Sequence, residues 1–314
     1  MDTTINDTKS QLFLNKKKGV DIKGKFVVGI TQVAVLLIIA ILFIILGIIV
    51  YQGREKFSWE FISTFPTDGM TKGGIFPALI GTFILVIVMS LAAVPFGTIT
   101  AIYLTEYAKE NSKIAAAVRF SVRTLAVVPS IIFGLFGVGF FIQLLGSGID
   151  DVFNGGELHW GQPNILWASL TMSLLTLPVI IVSVEEALKT IPNELRAASL
   201  ALGATKWQTI KNIVLPGSVS GIMTGTILAV SRGAGEVAPI LFTGAAYYLA
   251  TLPKSLSDQF MNLGYHIYIM STQSSDVEKT MPIQFATTLV LLILTLSLNF
   301  VAVIIRSRIR RRAK

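Results

Sequence analysis

The 314-residue chain has no cysteine, which excludes disulfides, thiolate metal sites and a cysteine nucleophile and leaves the redox compartment open. Charge is scarce too: Asp, Glu, Lys and Arg together make up 14% of the residues, and histidine occurs twice. His159 and His266 are solitary and far apart in sequence, so they make no metal site. There is no G-x-x-x-x-G-K-[ST] phosphate loop, so the chain does not hold ATP in that manner. No Ser/His/Asp or paired-carboxylate arrangement stands out either. No catalytic site and no cofactor are expected on this polypeptide.

Apolar residues take the space that charge leaves. They form 53% of the chain and give a mean hydropathy of +0.70, far from the balance of a soluble domain. A bilayer crossing needs about 20 residues. Stretches free of Asp, Glu, Lys, Arg and His occur at 26–51, 73–105, 124–149, 160–184 and 280–305. A sixth apolar region, 218–246, contains only Arg232 and Glu236. The expectation is an all-α polytopic membrane protein of about six transmembrane helices. The first span is a helix rather than a secretory signal, because its apolar core is too long and a polar tail precedes it. The expected organisation is a tail at 1–25, the first span at 26–51, a transmembrane domain at 73–305 carrying a cytoplasmic loop at 185–217, and a basic tail at 306–314.

Orientation follows from the positive charges, which are retained on the cytoplasmic side. With six spans, the two tails and the loops at 106–123 and 185–211 share one side and hold 20 of the 26 Lys and Arg residues. Both termini are therefore expected in the cytoplasm. The net charge of +8 and the tail RSRIRRRAK are read as a topological anchor attracted to anionic lipid, at about 1 kcal/mol per residue, and not as a nucleic-acid site. The Asn15–Gly19 cluster, NKKKG, is read in the same way. The glycosylation-like Asn6–Thr8 lies on the wrong side of the membrane. Arg119 and Arg123 are expected to snorkel to headgroups, and Asp150 and Asp151 to be solvated turn residues. Pro77, Pro95, Pro129, Pro163 and Pro178 punctuate the spans, breaks that neighbouring helices or a cavity can take up.

The strongest local signal is EEALKTIPNELRAASLALGATKWQTIKNIVLPGS, at 185–218. Leu195, Ala198, Ser199 and Leu202 recur at helical spacing, and Gly203 suits the left-handed residue that closes a helix. Thr205 with Gln208 is a capping box that starts a second helix, limited by Pro216. A helix-turn-helix tethered at both ends to membrane spans cannot easily reach a DNA groove. It reads instead as a docking knob for a cytoplasmic partner.

This hairpin resembles the EAA loop of ABC importer permeases. Gly203, Ile213, Leu215 and Pro216 stand at the family spacing, with Ala204 after the glycine, while Ala197, Ala198 and Ser199 occupy the Glu-Ala-Ala positions. The usual acid is missing there, so its contact to an ATPase is absent or supplied by a neighbour such as Glu194. Further stretches, GGIFPALIGTF, AIYLTEYA, RFSVRTLAVVPSIIFGLFG and SGIMTGTILAVSRGAGEVAPILFT, are similar to the PstA-type permease subunits of phosphate importers. That resemblance implies the fold of a type I ABC importer permease. It also implies a PstC-type permease partner, a PstB-type ATPase dimer on the EAA loops, and a PstS-type phosphate-binding protein outside.

Arg232 and Glu236 carry the remaining signal. An ionised side chain at mid-membrane costs about 2.5–3.5 kcal/mol on insertion scales and normally faces protein or water. Four residues apart, the two are expected on one helical face, where they neutralise each other. Gly233, Ala234 and Gly235 allow close approach, and a guanidinium suits a tetrahedral oxyanion. Arg232 is thus the candidate contact for phosphate in transit, held by Glu236. The alternatives are a purely structural ion pair, another oxyanion such as sulfate or molybdate, or an ion-coupled transporter using Glu236 as a proton site.

Overall fold

The computed structural model describes residues 22–109, 111–274 and 276–312. The basic cluster at 15–19 and the acceptor at 6–8 lie outside them, as do the last two residues of the basic tail. The described chain is helical apart from loops and a two-residue hairpin pairing Pro66–Thr67 with Lys72–Gly73. Helices are α1 Ile22–Gly53, α2 Phe76–Ile102, α3 Lys113–Leu125, α4 Ser130–Phe136, α5 Ser147–Phe153 and α6 Ile165–Lys189. They continue with α7 Asn193–Ala201, α8 Lys206–Thr209, α9 Leu215–Gly235, α10 Ile240–Thr243, α11 Leu263–Thr272 and α12 Val277–Arg312. A single helical turn, Trp59–Ser63, is capped by Ser58.

Six helical stretches are long and apolar enough to span a membrane: Gly24–Gly53, Phe76–Tyr107, Ser130–Phe153, Ile165–Lys189, Lys206–Gly235 and Val277–Arg308. The count is as expected, but the bounds of two spans differ for local reasons. The third span does not begin at 124. Pro129 breaks the helix, and the preceding "loop" is largely the amphipathic helix α3, started by Ser112, whose hydroxyl accepts from the Ala115 N–H. The fifth span begins at Lys206 and ends at Gly235 rather than running over 218–246. Pro216 does not limit the hairpin's second helix, because the π-helical turn Ile210–Val214 just before it carries the chain through. Pro is tolerated where its missing N–H has no ladder partner to lose. At the other end, Glu236 is extended (φ −79°, ψ 137°), and Pro239 forbids a continuing ladder.

The α1 helix as far as Tyr51 belongs to a unit separate from the rest of the chain, and its membrane-spanning part is apolar on all faces, as a lipid-facing span must be. In the rest of the chain α6 is central, with 61% of its apolar window buried. α2 runs parallel to it, with the Ser173 hydroxyl donating to the Met89 carbonyl at 3.0 Å and Gly97 against Ile180. α9 runs antiparallel, and small residues let the backbones meet: a Cβ on Gly225 would lie 2.1 Å from the Ser183 Cβ, and one on Gly221 2.6 Å from the Ala187 Cβ. Without a hydrophobic drive between helices in lipid, such close van der Waals packing holds the bundle. Leu85, Met89, Ile165, Met172, Ile240 and Phe260 fill the core between these helices.

Candidate functional site

The α9–α6 register fixes the depth of Arg232. Going along α9, Gly217 meets Ile191, Gly221 meets Ala187, Gly225 meets Ser183, and Gly233 meets Thr176 and Met89. Arg232 therefore lies level with the middle of the span Ile165–Lys189. Ser231 is hydrogen-bonded to Asn299 of α12, and Arg306 donates to the Thr224 hydroxyl at 2.7 Å. With those residues turned to α12 and the glycines to α6, Leu228 and Arg232 face outward; the Arg232 side chain is 65% exposed.

Arg232 Nε stands 3.6 Å from Glu236 Oε1, a distance of charge attraction rather than of a hydrogen bond. The two carboxylate and guanidinium groups do meet, but not on one helical face as expected, because Glu236 has already left the helix; its N–H bonds the Gly233 carbonyl at 3.1 Å. No other partner of Arg232 is found among the described residues. Its position in the last turn of α9 places a cation where the helix dipole is negative, which favours it. The first turn of α11 abuts this end, since a Cβ on Gly264 would sit 2.6 Å from the Val237 side chain and 3.9 Å from the Gly235 carbonyl.

The second candidate region is the α7–α8 hairpin. Gly203 has φ +87°, the left-handed closure expected. The capping box is formed, with the Gln208 N–H donating to Thr205 Oγ1 at 3.3 Å and the Thr205 N–H to Gln208 Oε1 at 2.7 Å. Glu194, Ala197, Ala198, Gly203 and Pro216 are exposed, and Ala204, Ile213 and Leu215 half-buried. Ser199 departs from its stripe: it is buried, and its hydroxyl meets that of Thr209 at 2.9 Å, joining α7 to α8. Leu195, Leu200, Leu202 and Trp207 remain exposed. Contiguous exposed apolar side chains of this kind are uncommon on surfaces that face only water.

Four polar groups take positions that the sequence did not disclose. Arg119 does not snorkel; it donates to the Leu104 carbonyl at 2.6 Å and pairs with Glu185 at 3.5 Å. Asp150 is not a solvated turn residue. It is 1% exposed and accepts from the N–H groups of His159, Trp160 and Gly161 and from the Asn154 amide at 2.7 Å. Arg306 turns toward Thr224 rather than acting only as a lipid anchor. Arg196, which no motif singled out, forms with Glu106 an ion pair of 2.9 Å. The side-chain partners of the three arginines are 66 to 90 residues away, and those of Asp150 are mainly backbone groups of the following loop, which leave no periodic trace. His159 meets the Trp160 ring edge-on. His266 is buried in α11, and that burial pushes its imidazole down to about 4, leaving it neutral at neutral pH.

The model of the family described as "binding-protein-dependent transport system inner membrane component" matches residues 93–313. The probable ABC transporter permease protein YqgI of Bacillus subtilis is 30% identical over 263 residues, covering 80% of this chain and 84% of that protein. The phosphate transport system permease protein PstA of Haemophilus influenzae is 31% identical over 246 residues, 78% of this chain and 80% of its own length. PstA 1 of Mycobacterium tuberculosis is 39% identical over 169 residues, and there the match spans half of the relative's length. Among solved structures, a bacterial ABC transporter involved in import of the acidic polysaccharide alginate superposes with a TM-score of 0.64 at 16% identity, over 92% of this chain and 97% of that one. The inward-facing MetNI methionine ABC transporter gives 0.54 at 20% identity, over 75% and 94%. At these identities the likeness to the solved structures is one of fold.

Proposed function

The chain belongs to the family of binding-protein-dependent transport system inner membrane components, and we propose on that footing that it is a membrane-spanning subunit of an ATP-driven importer of inorganic phosphate. Its fold is that of the type I ABC importer permeases, and it is a multi-pass membrane protein. Phosphate as the cargo is supported by the similarity to phosphate transport system permease proteins. A PstC-type permease would complete the channel, a PstB-type ATPase dimer would seat on the α7–α8 hairpins, and a PstS-type binding protein would deliver phosphate outside. The hairpin and both tails face the cytoplasm, on the side where Lys and Arg gather.

The observation that carries this reading is the outward exposure of Arg232 at mid-span depth. A guanidinium there must meet water or protein, and its own chain leaves it open, so the companion permease forms the opposite wall. Arg232 presents several donors to the anion, while Glu236, at 3.6 Å, balances the charge when the path is empty and keeps the anion from lodging. Closure of the ATPase dimer moves the hairpin and exposes the Arg232 region to each side in turn.

Purification from detergent tests the assembly directly. The chain is expected to come out with a nucleotide-hydrolysing subunit, and proteoliposomes of that complex, supplied with the binding protein outside, to take up labelled phosphate only when ATP is on the hairpin side. Uptake driven by an ion gradient alone, without any ATPase, would replace this reading with the ion-coupled one. Uptake of sulfate or molybdate in place of phosphate would correct the cargo.

A further inference from the structure

Among the described residues no ion pair is held by more bonds than Arg196–Glu106. Nη2 and Nε of Arg196 reach the same Glu106 oxygen at 2.9 and 3.2 Å. Nη2 also donates to the Leu188 carbonyl at 2.8 Å, and Nη1 to the Ile191 carbonyl and to Asn193 Oδ1. The side chains are only 17% and 8% exposed. One guanidinium thus ties three elements together: α7 of the hairpin, the inner end of α6, and the π-helical turn Tyr103–Tyr107 that finishes the span of α2. Two neighbouring contacts brace the same junction. Lys206 of α8 sits 5.2 Å over the Tyr107 ring, and the Ser199–Thr209 bond fuses α7 to α8.

Apolar contact alone would let the hairpin slide on the ends of the spans, because it is non-directional. A planar fork bound on several sides has one geometry. From the strut the path onward is packed: α2 and α6 are joined by the Ser173–Met89 bond, and Gly233, next to Arg232, rests against Met89 and Thr176. We propose that Arg196 and Glu106 are positioning residues that form a rigid strut, closed throughout the transport cycle, which converts displacement of the α7–α8 hairpin into joint movement of α2 and α6 at the anion path. The proposal rests on the importer reading above.

The experiment uses the whole complex, with its ATPase and binding protein, in proteoliposomes, and reads phosphate moved per ATP hydrolysed. The wild type comes first: uptake that does not depend on ATP sinks the importer reading, and the strut with it. Given coupled wild-type transport, Arg196→Ala and Glu106→Gln are expected to keep the ATPase bound and hydrolysing while the ratio falls roughly tenfold or more. If Arg196→Ala does not assemble, Arg196→Lys serves, keeping the charge and losing the fork, with an intermediate ratio expected. The cysteine-free chain allows a second arm. Glu106→Cys combined with Arg196→Cys should transport poorly when reduced and recover when a short bis-maleimide bridges the two thiols, with each single cysteine as control. A wild-type ratio in the single variants overturns the proposal, as does release of the ATPase from Arg196→Lys and Glu106→Gln with uptake and hydrolysis lost together. A bridged pair that stays inactive, or thiols that cannot be bridged, overturns it too, since the strut must be closed and must stay so.

Discussion

Arg232→Gln is expected to leave the complex assembled and abolish most phosphate uptake, by about 100-fold, the order of a lost charge-assisted contact of a few kcal/mol. Assembly should survive because the side chain is 65% exposed and its one ion pair, at 3.6 Å, is too long for a hydrogen bond. Nothing in the packing of α9 on α6 involves it; that surface is made by Gly221, Gly225 and Gly233. Arg232→Lys should retain part of the activity, since a point charge attracts the anion but cannot present the planar fork. Initial rates of labelled phosphate uptake, normalised to assembled complex, decide the matter. Wild-type rates in Arg232→Gln would make the Arg232–Glu236 pair a packing device only.

Asp150→Ala is expected to act in the opposite way, on the protein rather than on transport. The carboxylate gathers three consecutive N–H groups and the Asn154 amide, closing the loop between α5 and α6 over the buried Trp167. That ring stacks on Phe141 and donates to the Trp160 carbonyl at 2.7 Å. Removing the acceptor leaves three backbone N–H groups and the Asn154 amide without the carboxylate, itself 1% exposed, that holds the loop, and loss of a buried hydrogen-bond network is among the few causes of large destabilisation. The folded, detergent-extractable protein should fall several-fold, with the uptake rate per remaining molecule unchanged. Asp150→Asn should be nearly as harmful, because its amide turns a donor toward donors, whereas Asp151→Ala, at an exposed position, should be silent. Equal yields for the two alanine variants would contradict the clamp.

What could be read from the sequence was what is written locally. Six spans follow from runs of apolar residues, and the hairpin from Gly203, Thr205 and Gln208, whose turn and capping box are settled within a few residues. The helix ends were harder. Arg232 and Glu236 have helical spacing, yet Gly235 is the last helical residue, because the demand of Pro239 reaches back over it. Pro216 looked like a stop and is not one, since the π-helical turn before it absorbs the missing bond. Partners distant in sequence were invisible: Arg196 and Glu106 are 90 residues apart, and Arg119 looked like a lipid-facing arginine until Glu185 and the Leu104 carbonyl were in place. A charge taken out of water without a partner is expensive, so these long-range pairs are where the fold commits itself, and a single chain's periodicity does not record them.

The placement of Arg232 in an aqueous path can be measured with one thiol. The chain has no cysteine of its own, so Arg232→Cys, in the assembled complex, offers a unique reporter at that depth. A small membrane-impermeant sulfonate reagent is expected to modify it, with the label recovered on this subunit and the rate changing between the nucleotide-free and ATP-bound complex. Modification only by lipid-soluble maleimides, or none in either state, would show that position 232 faces lipid or a dry helix contact and contradict the path.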